Sequence, residues 1–463
     1  MKIEIKQLGV IGKAEFTLAD LTIICGENNT GKTYATYALY GFLDSWNRYF
    51  SIKISDREFD GLLNEGSIQL DLQSYISDAR KIVKSGCRRY SERLPHVFAS
   101  SEKRFKDSQF LVHLDFKTIQ PTSRYTRLMG AAKTDLFSIN KHSDSSFVTI
   151  SLLVEKKKLK IPEELLREVI STAIKDIIFG HYFPQPFIAS AERTGAAIFR
   201  NELNFARNRL LEEMNSKEKE LNPFKLLSKM YSDYALPVKS NVEFTRQLED
   251  ISKKDSFISD HYPELLDDFA DIIGGEYVVK KDELYFVPKK KARVNLTMDE
   301  SSSAVRSLLD IGFYIRHKAA EGDLLMVDEP ELNLHPENQR RVARLFARLV
   351  NLGIKVFVTT HSDYIIKELN TLIMLNQGQK RLFDLAEREG YMRSEFLDPE
   401  KVRVYIAEEG LVALDGARKR VRRITFNQAD INENGIEARS FDTTIQEMNR
   451  IQEDIVWGGS GDD

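Results

Sequence analysis

The stretch Gly26-Glu27-Asn28-Asn29-Thr30-Gly31-Lys32-Thr33 decides the fold. It follows an apolar strand-like segment, residues 16–25, and opens a helix-forming segment. Glycines in such a loop let the backbone wrap phosphate groups, while exposed N–H groups and the helix N-terminus supply positive potential. In that arrangement Lys32 reaches the β- and γ-phosphates of a nucleotide, and the Thr33 hydroxyl holds Mg²⁺. The stretch therefore predicts a P-loop, rather than a glycine-rich turn that matches the pattern by chance.

The composition is that of an ordinary globular protein. The chain has 463 residues, of which 42% are hydrophobic and 30% charged, with 24 glycines and 12 prolines. These values exclude collagen-like, mucin-like and largely disordered chains, and the length suggests about two to four compact units. Lys and Arg number 67 against 70 Asp and Glu, a net charge of -3. No overall positive field therefore attracts nucleic acid, and any basic surface must be local.

Two features of the sequence indicate the cellular compartment of the protein. The only cysteines of the sequence, Cys25 and Cys87, are too few for a disulfide framework, which favours a reducing compartment and hence the cytoplasm. The opening residues, Met1-Lys2-Ile3-Glu4-Ile5-Lys6, alternate like a strand and lack the apolar core of a signal peptide. No apolar run approaches the roughly 20 residues of a membrane-spanning helix. We expect a soluble protein with no membrane partner.

Two adjacent carboxylates, Asp328 and Glu329, end the apolar strand Leu324-Leu325-Met326-Val327. The carboxyl end of a parallel strand lies at the ligand-binding edge of its sheet. There Asp328 is placed to support Mg²⁺, and Glu329 to polarise the attacking water. Strand ends often carry acids in solvated loops, so the pair alone would mean little. Together with the P-loop it indicates a catalytic site.

A second strand follows after a crossover helix. The helix begins at Pro336, a natural first-turn residue, and ends at Gly353. The strand, residues 354–358, runs into Thr359-Thr360-His361-Ser362. Strands joined in this way predict a parallel sheet with right-handed connections and the α/β class. A lone histidine is usually structural, but the shared sheet edge places His361 where it would contact a γ-phosphate.

Three motifs together resemble a family. The P-loop stretch, Asp328-Glu329-Pro330-Glu331-Leu332-Asn333-Leu334-His335-Pro336 and residues 359–362 resemble the ABC-type ATPases related to SMC, RecF and OLD proteins, including the AAA_15 type. The resemblance implies an ABC-type P-loop NTPase head with a mixed or parallel sheet. It also implies that Glu329 is the catalytic carboxylate, residues 332–335 the D-loop and His361 the switch histidine. In this family ATP lies between two heads, which implies a dimer or a higher homo-oligomer.

The signature is where the chain departs from this family. Transporters carry Leu-Ser-Gly-Gly-Gln there, whereas this chain has Glu300-Ser301-Ser302-Ser303-Ala304-Val305-Arg306 ahead of a helix. Hydroxyl and N–H groups at that helix start are expected to contact the γ-phosphate bound by a partner head. Ser301, Ser302 and Ser303 are the candidates. The plain alternative is an ordinary helix-capping run.

No motif marks the usual Q-loop glutamine. Glu192 and Arg193 follow the apolar run 186–189 and occupy an equivalent place at the sheet edge. A simple salt-bridged turn explains these two residues equally well.

The chain divides on sequence grounds into four segments. Residues 1–195 form the N-terminal part of the head with the P-loop, and residues 196–290 a helical insertion or arm, with a hairpin expected from residue 276. Residues 291–410 form the C-terminal part of the head, with the serine run, the acidic strand, the D-loop and His361. Residues 411–463 form a short C-terminal extension. The insertion opens with an apolar helix face that consists of Phe199, Leu203, Ala206, Leu210 and Met214.

Three stretches near the C-terminus allow more than one interpretation. Residues 402–410, followed by Asp415, superficially resemble the opening strand of a TOPRIM nuclease, but the second acidic strand is missing, so we expect this strand to complete the sheet. The basic run Arg418-Lys419-Arg420-Val421-Arg422-Arg423 grips nucleic-acid phosphate or forms a solvated hairpin. An apolar face docks on the head or on a partner protein. That face consists of Phe441, Ile445, Met448, Ile451 and Ile455.

The resemblance extends to the ATPase subunits of prokaryotic anti-phage systems, such as AriA of PARIS and PtuA of Septu. It implies an oligomeric ATPase with ATP and Mg²⁺ as cofactors that controls a separate toxin or nuclease. The alternative is a RecF-like or SMC-like ATPase that clamps DNA, which predicts strongly salt-dependent DNA binding.

Overall fold

The computed structural model describes residues 1–116, 119–131, 134–143, 145–154, 162–198, 234–280, 283–291, 293–413, 420–433, 435–437 and 450–452. Two sequence predictions lie wholly or mainly outside these residues, the helix face that starts at Phe199 and the apolar face that starts at Phe441. Of the basic run, Arg418 and Lys419 lie outside them.

The described strands are β1 (Lys2–Leu8), β2 (Ile11–Thr17), β3 (Leu21–Cys25), β4 (Ser67–Asp71), β5 (Gln109–His113), β6 (Tyr125–Ala131), β7 (Thr134–Lys141), β8 (Phe147–Leu152), β9 (Pro186–Ala189), β10 (Gly275–Lys280), β11 (Glu283–Pro288), β12 (Leu296–Thr297), β13 (Leu324–Asp328), β14 (Lys355–Thr360), β15 (Val402–Val412), β16 (Val421–Gln428), β17 (Asp430–Asn432) and β18 (Gly435–Glu437).

The described α-helices are α1 (Lys32–Tyr49), α2 (Asp56–Glu65), α3 (Leu72–Ser77), α4 (Ala79–Ser91), α5 (Leu94–Val97), α6 (Glu163–Phe179), α7 (Arg193–Ile198), α8 (Leu236–Arg246), α9 (Leu248–Ile251), α10 (Phe257–His261), α11 (Pro263–Ile273), α12 (Ser303–Ser307), α13 (Leu309–His317), α14 (Pro336–Asn351), α15 (Asp363–Leu375) and α16 (Lys380–Arg388). None of the helices in the described part of the chain combines the length and apolar character needed to cross a membrane.

The chain divides into two compact units. The first comprises Met1–Glu4, Gly41–Leu94 and Ser108–Gln185, and the second comprises Ile5–Tyr40, Pro95–Asp107 and Pro186–Asp463. The four segments expected from the sequence have other boundaries, and that division stays a prediction.

The first unit contains a four-stranded antiparallel sheet in the order β4-β8-β7-β6. Aromatic side chains form part of its core. The ring of Phe42 lies 5.4 Å from that of Tyr90, 5.2 Å from that of Phe110 and 5.5 Å from that of Phe183, measured between centroids. Such spacings are typical of favourable tilted and edge-to-face aromatic pairs. The alternating sequences near residues 110 and 147 are the strands β5 and β8, as predicted.

The second unit contains a mixed sheet with the order β2-β16-β15-β3-β14-β13-β9. The five strands from β15 to β9 run parallel, and β16 pairs antiparallel with β15. This topology confirms the predicted α/β class with a mixed sheet. The crossover unit β13-α14-β14 is present with the predicted order, and Asp328 at the end of β13 pairs in register with Thr359 of β14.

The strand β15 has the place that the sequence predicted for residues 402–410. It lies between β3 and β16, with Tyr405 in register with Ile24 and Ile406 with Cys25. The strand therefore completes the sheet. Because β3 lies between β14 and β15, the loop that leaves β3 at Cys25 emerges between the ends of two parallel neighbours.

The described part of the predicted insertion packs within the second unit. Leu248, Ile258 and Leu265 are fully buried in the same hydrophobic core as Val327 of β13 and Val358 of β14. The expected hairpin is present, since β10 and β11 pair antiparallel from Gly275↔Pro288 to Lys280↔Glu283. These helices support the central sheet, since burial of apolar side chains is the main stabilising term of such a core.

Candidate active site

The loop between β3 and α1 has unusual backbone angles at Gly26 and Asn29, and these two residue types allow them. Gly26 has a φ of 143°, and a Cβ at this position would lie 2.5 Å from the carbonyl oxygen of Ala407 in β15. Only glycine fits there, because any side chain would overlap that backbone and strain its own. Asn29 has a φ of 64°, a left-handed conformation that asparagine tolerates better than most residues. The loop is therefore shaped for its backbone to approach another group closely.

Lys32 lies at the first turn of α1 and closes over the loop. Its Nζ donates hydrogen bonds to the carbonyl oxygens of Gly26 at 2.8 Å and of Glu27 at 2.7 Å. Burial lowers the pKa of the Lys32 ammonium, while the nearby carboxylates of Glu329 and Asp328 raise it. A phosphate oxygen is a stronger acceptor for an ammonium than a carbonyl oxygen. The structure thus holds a cation ready to exchange its carbonyl partners for phosphate.

Asp328 lies at the carboxyl end of β13 and is fully buried. Its Oδ1 accepts a hydrogen bond from the hydroxyl of Thr359, whereas its Oδ2 is buried and has no hydrogen-bond partner among the described residues. Burial raises the pKa of Asp328 to about 6, and the nearby hydroxyls of Thr359 and Thr33 oppose that rise. A buried, unpartnered carboxylate oxygen is costly, so a cation or hydrogen-bond donor bound at Oδ2 would be stabilising.

Mg²⁺ fits this arrangement. Asp328 Oδ2 and the neighbouring Thr33 hydroxyl are the hard oxygen donors that Mg²⁺ prefers. Within the described part of the chain no group of three or more His, Cys, Asp and Glu side chains is placed to hold a metal ion. Mg²⁺ takes one or two protein ligands and completes its shell with phosphate oxygens and water. The two predicted metal ligands therefore suit a metal bound together with a nucleotide.

Glu329 has a strained backbone that two hydrogen bonds stabilise. Its φ is 53°, in the left-handed region, which costs a non-glycine residue roughly 1–2 kcal/mol. Its N–H donates to the carbonyl oxygen of Thr359 at 3.0 Å, and its own carbonyl oxygen accepts from Arg193 at 2.9 Å. Strain of this kind is common at functional sites, where neighbouring contacts fix one conformation. The backbone of the predicted catalytic residue is thus fixed from two sides.

Glu331 lies at the site in a role that the sequence did not predict. Its carboxylate is buried and accepts hydrogen bonds from the Thr360 hydroxyl at 2.9 Å and the His361 N–H at 2.8 Å. The Nδ1 of His361 lies 3.1 Å from the same carboxylate, and the His361 side chain is 41% exposed. Glu331 therefore holds the predicted switch histidine at the sheet edge. The signal in the sequence was the third acid of Asp328-Glu329-Pro330-Glu331.

The residues of the predicted D-loop form the turn between β13 and α14. The N–H of Leu332 donates to the carbonyl oxygen of Glu329 at 3.2 Å, and that of Leu334 to Glu331 at 3.0 Å. His335 is the N-cap of α14, where its ring accepts from the N–H of Glu337. This turn therefore starts directly from the two acidic residues of the site.

The three serines of the signature-like run differ in their surroundings. Ser301 is buried, and its hydroxyl donates to the carbonyl oxygen of Thr297 at 2.7 Å. Ser302 is exposed and is the N-cap of α12, where its Oγ accepts from the N–H of Val305 at 3.3 Å. Ser303 is the first residue of that helix and is half-buried. Contact with a nucleotide stays a prediction for all three, and Ser302 is the most accessible.

Glu192 and Arg193 lie at the end of β9. They form hydrogen bonds with other groups and not with each other. The hydroxyl of Tyr37 in α1 donates to the Glu192 carboxylate at 2.5 Å, and burial, with Glu192 nearby, raises the pKa of Tyr37 far above its ordinary range. Glu192 also raises the pKa of Asp328, which places it near the predicted metal ligand. The simple salt-bridged turn is therefore not the explanation of this pair.

Comparisons with known proteins agree with this geometry. The model of the AAA ATPase domain family, AAA_15, matches residues 1–366. The energy-coupling factor transporter ATP-binding protein EcfA2 of Mycoplasma mobile is 28% identical over 91 residues, which are 19% of this chain and 30% of that protein. The matched segment thus spans less than a third of the length of that relative.

Two solved structures resemble the chain at 13% sequence identity. One is an Smc head bound to the C-terminal winged-helix domain of ScpA, with a TM-score of 0.33 and coverage of 92% of this chain and 97% of that chain. The other is the Smc head of Pyrococcus furiosus with an extended coiled coil, bound to the C-terminal domain of ScpA, with a TM-score of 0.32 and coverage of 97% and 98%. With TM-scores this low, neither structure bears on what this chain does.

Proposed function

Because the chain belongs to the AAA ATPase domain family, we propose that it binds ATP with Mg²⁺ and hydrolyses it at the site between the P-loop and Asp328. The observation that carries the proposal is the buried Oδ2 of Asp328, which has no partner among the described residues. It lies at the end of β13, two strands from β3, whose end opens into the P-loop. A metal-bound triphosphate would supply the missing partner.

Each residue at the phosphate end of the site has a defined role in this proposal. Lys32 releases the carbonyl oxygens of Gly26 and Glu27 and binds the β- and γ-phosphates. The N–H groups of the P-loop and of the first turn of α1 surround the phosphate oxygens. Thr33 and Asp328 would hold Mg²⁺, which neutralises charge on the phosphates when it is bound.

Glu329 orients the attacking water and accepts its proton in this proposal. A carboxylate is suited to this role when it lies within hydrogen-bond reach of the water. Hydrogen bonds with Thr359 and Arg193 hold the backbone of Glu329 at the end of β13, next to the proposed nucleotide site. His361, held by Glu331, contacts the γ-phosphate from the next strand end.

The serine run of a second copy completes the site in the proposed assembly. Ser302 is the exposed N-cap of α12 and Ser303 is the half-buried first residue of that helix, so the side chain of Ser302 is accessible to a ligand. Two copies that face each other would each supply a P-loop to one nucleotide and a serine run to the other. ATP binding would thus drive the formation of a head-to-head dimer.

The finer proposal concerns what the dimer controls. By its resemblance to AriA and PtuA, the chain acts in anti-phage defence as an oligomeric sensor or scaffold. In that role ATP-driven assembly holds a separate toxin or nuclease inactive, or releases it, when a phage trigger is present. The partner of this chain would then be a protein, and the assembly would be regulated by nucleotide.

Replacement of Glu329 by glutamine tests the ATPase proposal. Glu329→Gln should bind ATP within about twofold of the wild-type affinity but lower turnover by roughly 10²-fold or more, since the general base is lost. Native mass determination should show a dimer of this variant in ATP and a smaller species without nucleotide. Glu321→Gln, in the exposed loop before the same strand, is the matched control and should leave turnover unchanged. Loss of ATP binding, or normal turnover, in Glu329→Gln would contradict the proposed role.

A pull-down tests the finer proposal. Tagged Glu329→Gln protein is recovered from its native host in the presence of ATP, and bound molecules are identified by mass spectrometry. A stoichiometric nuclease or toxin subunit supports control of an effector. Recovery of nucleic acid with no protein partner contradicts it and supports a DNA-clamping ATPase instead.

A further inference from the structure

Arg193 is one of the largest fully buried side chains of the described protein and is only 1% exposed. Its guanidinium donates four hydrogen bonds, all of them to backbone carbonyl oxygens. Nε donates to Ser307 at 2.6 Å, Nη1 to Ser190 at 2.8 Å and to Asp328 at 2.7 Å, and Nη2 to Glu329 at 2.9 Å. The acceptors belong to the end of β9, the end of β13 and α12. One side chain therefore joins three elements of the site.

The environment of Arg193 is energetically unfavourable for a charged side chain. Burial lowers the pKa of Arg193, and the carboxylate of Asp310 opposes this effect. Asp310, in α13, is also fully buried, and neither of its carboxylate oxygens has a hydrogen-bond partner among the described residues. Taking a charged side chain out of water costs free energy that apolar packing of the same volume does not. Packing alone therefore does not explain why an arginine lies here.

The planar guanidinium of Arg193 couples a movement of α12 to the other groups that Arg193 bonds. Its donors form a rigid planar fork, so the hydrogen bonds cannot be re-aimed one at a time. Ser307 is the last residue of α12, and Ser302 is the N-cap of the same helix. With a rise of about 1.5 Å per residue, these two residues are roughly 8 Å apart along the helix. A displacement of the helix at Ser302 thus moves the Ser307 carbonyl oxygen and strains the other three hydrogen bonds of Arg193.

We propose that Arg193 is a positioning residue that ties the helix of the serine run to the backbone of Glu329. This inference rests on the proposed head-to-head ATPase, in which the serine run of one protomer contacts the nucleotide of its partner. Docking of the partner's nucleotide on Ser302 and Ser303 then moves the backbone of Glu329 of the same protomer, through Arg193, into its position for hydrolysis of that protomer's own nucleotide. Arg193 is the physical connection between the two nucleotide sites of the dimer.

The proposal predicts coupling between the two sites. Hydrolysis should depend on ATP concentration with a Hill coefficient above one, because each bound nucleotide sets the catalytic residue of the other site. Coupling between sites typically changes binding affinity by roughly 5- to 150-fold. The coupling is carried by one buried side chain, Arg193, which bonds both to α12 and to the end of β13, rather than by mere proximity of the two elements.

Arg193→Lys is the main test. Lysine keeps the positive charge but has three donors on one nitrogen, so it cannot join four carbonyl groups in the same plane. ATP affinity, measured with a fluorescent ATP analogue, should stay within about twofold, while kcat falls by about tenfold or more and the Hill coefficient falls to one. Arg348→Lys is the matched control, since Arg348 is buried in α14 and pairs with Asp268 and Glu264. That variant should lower the melting temperature and leave the Hill coefficient unchanged.

The outcomes that overturn the proposal differ from those that overturn the ATPase. An unchanged kcat and Hill coefficient in Arg193→Lys would reject a positioning role. A loss of melting temperature and ATP affinity together, with the Hill coefficient intact, would show a purely structural role and would also reject it. Wild-type protein that neither binds nor hydrolyses ATP would instead contradict the proposed function itself.

Mixed dimers test the same proposal without any change at Arg193. A dimer of one wild-type and one Lys32→Ala protomer, confirmed by native mass, carries nucleotide only in the wild-type P-loop. The serine run of that wild-type protomer then faces a partner without nucleotide, so its Glu329 is not moved into the position for hydrolysis. The mixed dimer should hydrolyse ATP at least about tenfold more slowly than the wild-type dimer. A rate of one half would mean independent sites and would overturn the proposal.

Discussion

The Nδ1 of His361 lies 3.1 Å from Oε1 of Glu331, and the backbone N–H of His361 donates to the same oxygen at 2.8 Å. The buried carboxylate therefore lies beside the imidazole ring and holds the His361 backbone at the sheet edge. Because Nδ1 is the ring nitrogen next to Glu331, Nε2 is the one that would meet a ligand. A buried carboxylate that orients a histidine in this way is a recurrent device in catalytic sites.

Glu331→Gln should lower ATP turnover by about tenfold with little change in ATP affinity. The amide keeps the size of the side chain but loses the charge that orients the ring. The measurement is kcat together with the affinity for a fluorescent ATP analogue. Glu337→Gln, in the first turn of α14, removes an exposed carboxylate nearby and should have no such effect. Turnover equal to that of the wild type would show that the carboxylate has no part in the reaction.

Lys32→Ala should weaken ATP binding by roughly tenfold or more, since a charge-assisted hydrogen bond to phosphate contributes about 1.5–3 kcal/mol. Equilibrium binding by calorimetry measures this change directly. Lys355→Ala, which removes an ion pair with Asp20 at the start of β14, is the control and should bind ATP normally. An unchanged affinity in Lys32→Ala would reject the P-loop assignment.

Gly26→Ala should impair both stability and nucleotide binding. The added Cβ would meet the Ala407 carbonyl oxygen at 2.5 Å, so β15 and the P-loop must separate. We expect a loss of roughly 1–3 kcal/mol in the free energy of unfolding, measured by urea denaturation. Gly322→Ala separates the two causes, because Gly322 also has a positive φ of 85° but has nothing within 4 Å of its added Cβ. Equal losses in both variants would mean that backbone strain, and not the contact with Ala407, decides the result.

Asp310→Asn should change how stability depends on pH. Burial raises the pKa of Asp310 from an ordinary 3.8 to about 7 in the folded protein. The folded state therefore holds a proton that the unfolded state releases, and wild-type stability falls as the pH rises from about 4 to about 7.

Asparagine does not ionise, so this decline is absent from the variant. Between pH 5 and pH 8 the free energy of unfolding of Asp310→Asn, relative to wild type, should rise by about 2–3 kcal/mol. Urea unfolding at the two pH values measures it. Asp384→Asn, on the exposed face of α16, is the control. A difference between Asp310→Asn and wild type that is the same at both pH values would show that Asp310 ionises normally.

The sequence predicted the elements whose signals are local. Strands β13 and β14 are short apolar runs with polar residues at their carboxyl ends, and α14 has Pro336 at its start. The P-loop was also predictable, because its chemistry depends on the backbone of eight consecutive residues. These signals need no knowledge of the rest of the fold.

The contacts that complete the site depend on residues far apart in the chain. Arg193 and Asp328 are separated by 135 positions, and Tyr37 and Glu192 by 155. No local pattern distinguishes an arginine that bonds to four carbonyls from one in a solvated turn.

The place of β15 has a consequence for shortened forms of the protein. The family match ends at residue 366, whereas β15 pairs with β3 from Val402 to Ile406. A protein cut at residue 366 would keep every nucleotide motif but leave one side of β3 without a neighbour. Open strand edges recruit strands from other molecules and cause aggregation. Such a fragment would therefore aggregate through β3, the strand that leads into the P-loop. In the longer chain β15 covers this edge, although β15 contains none of the nucleotide motifs.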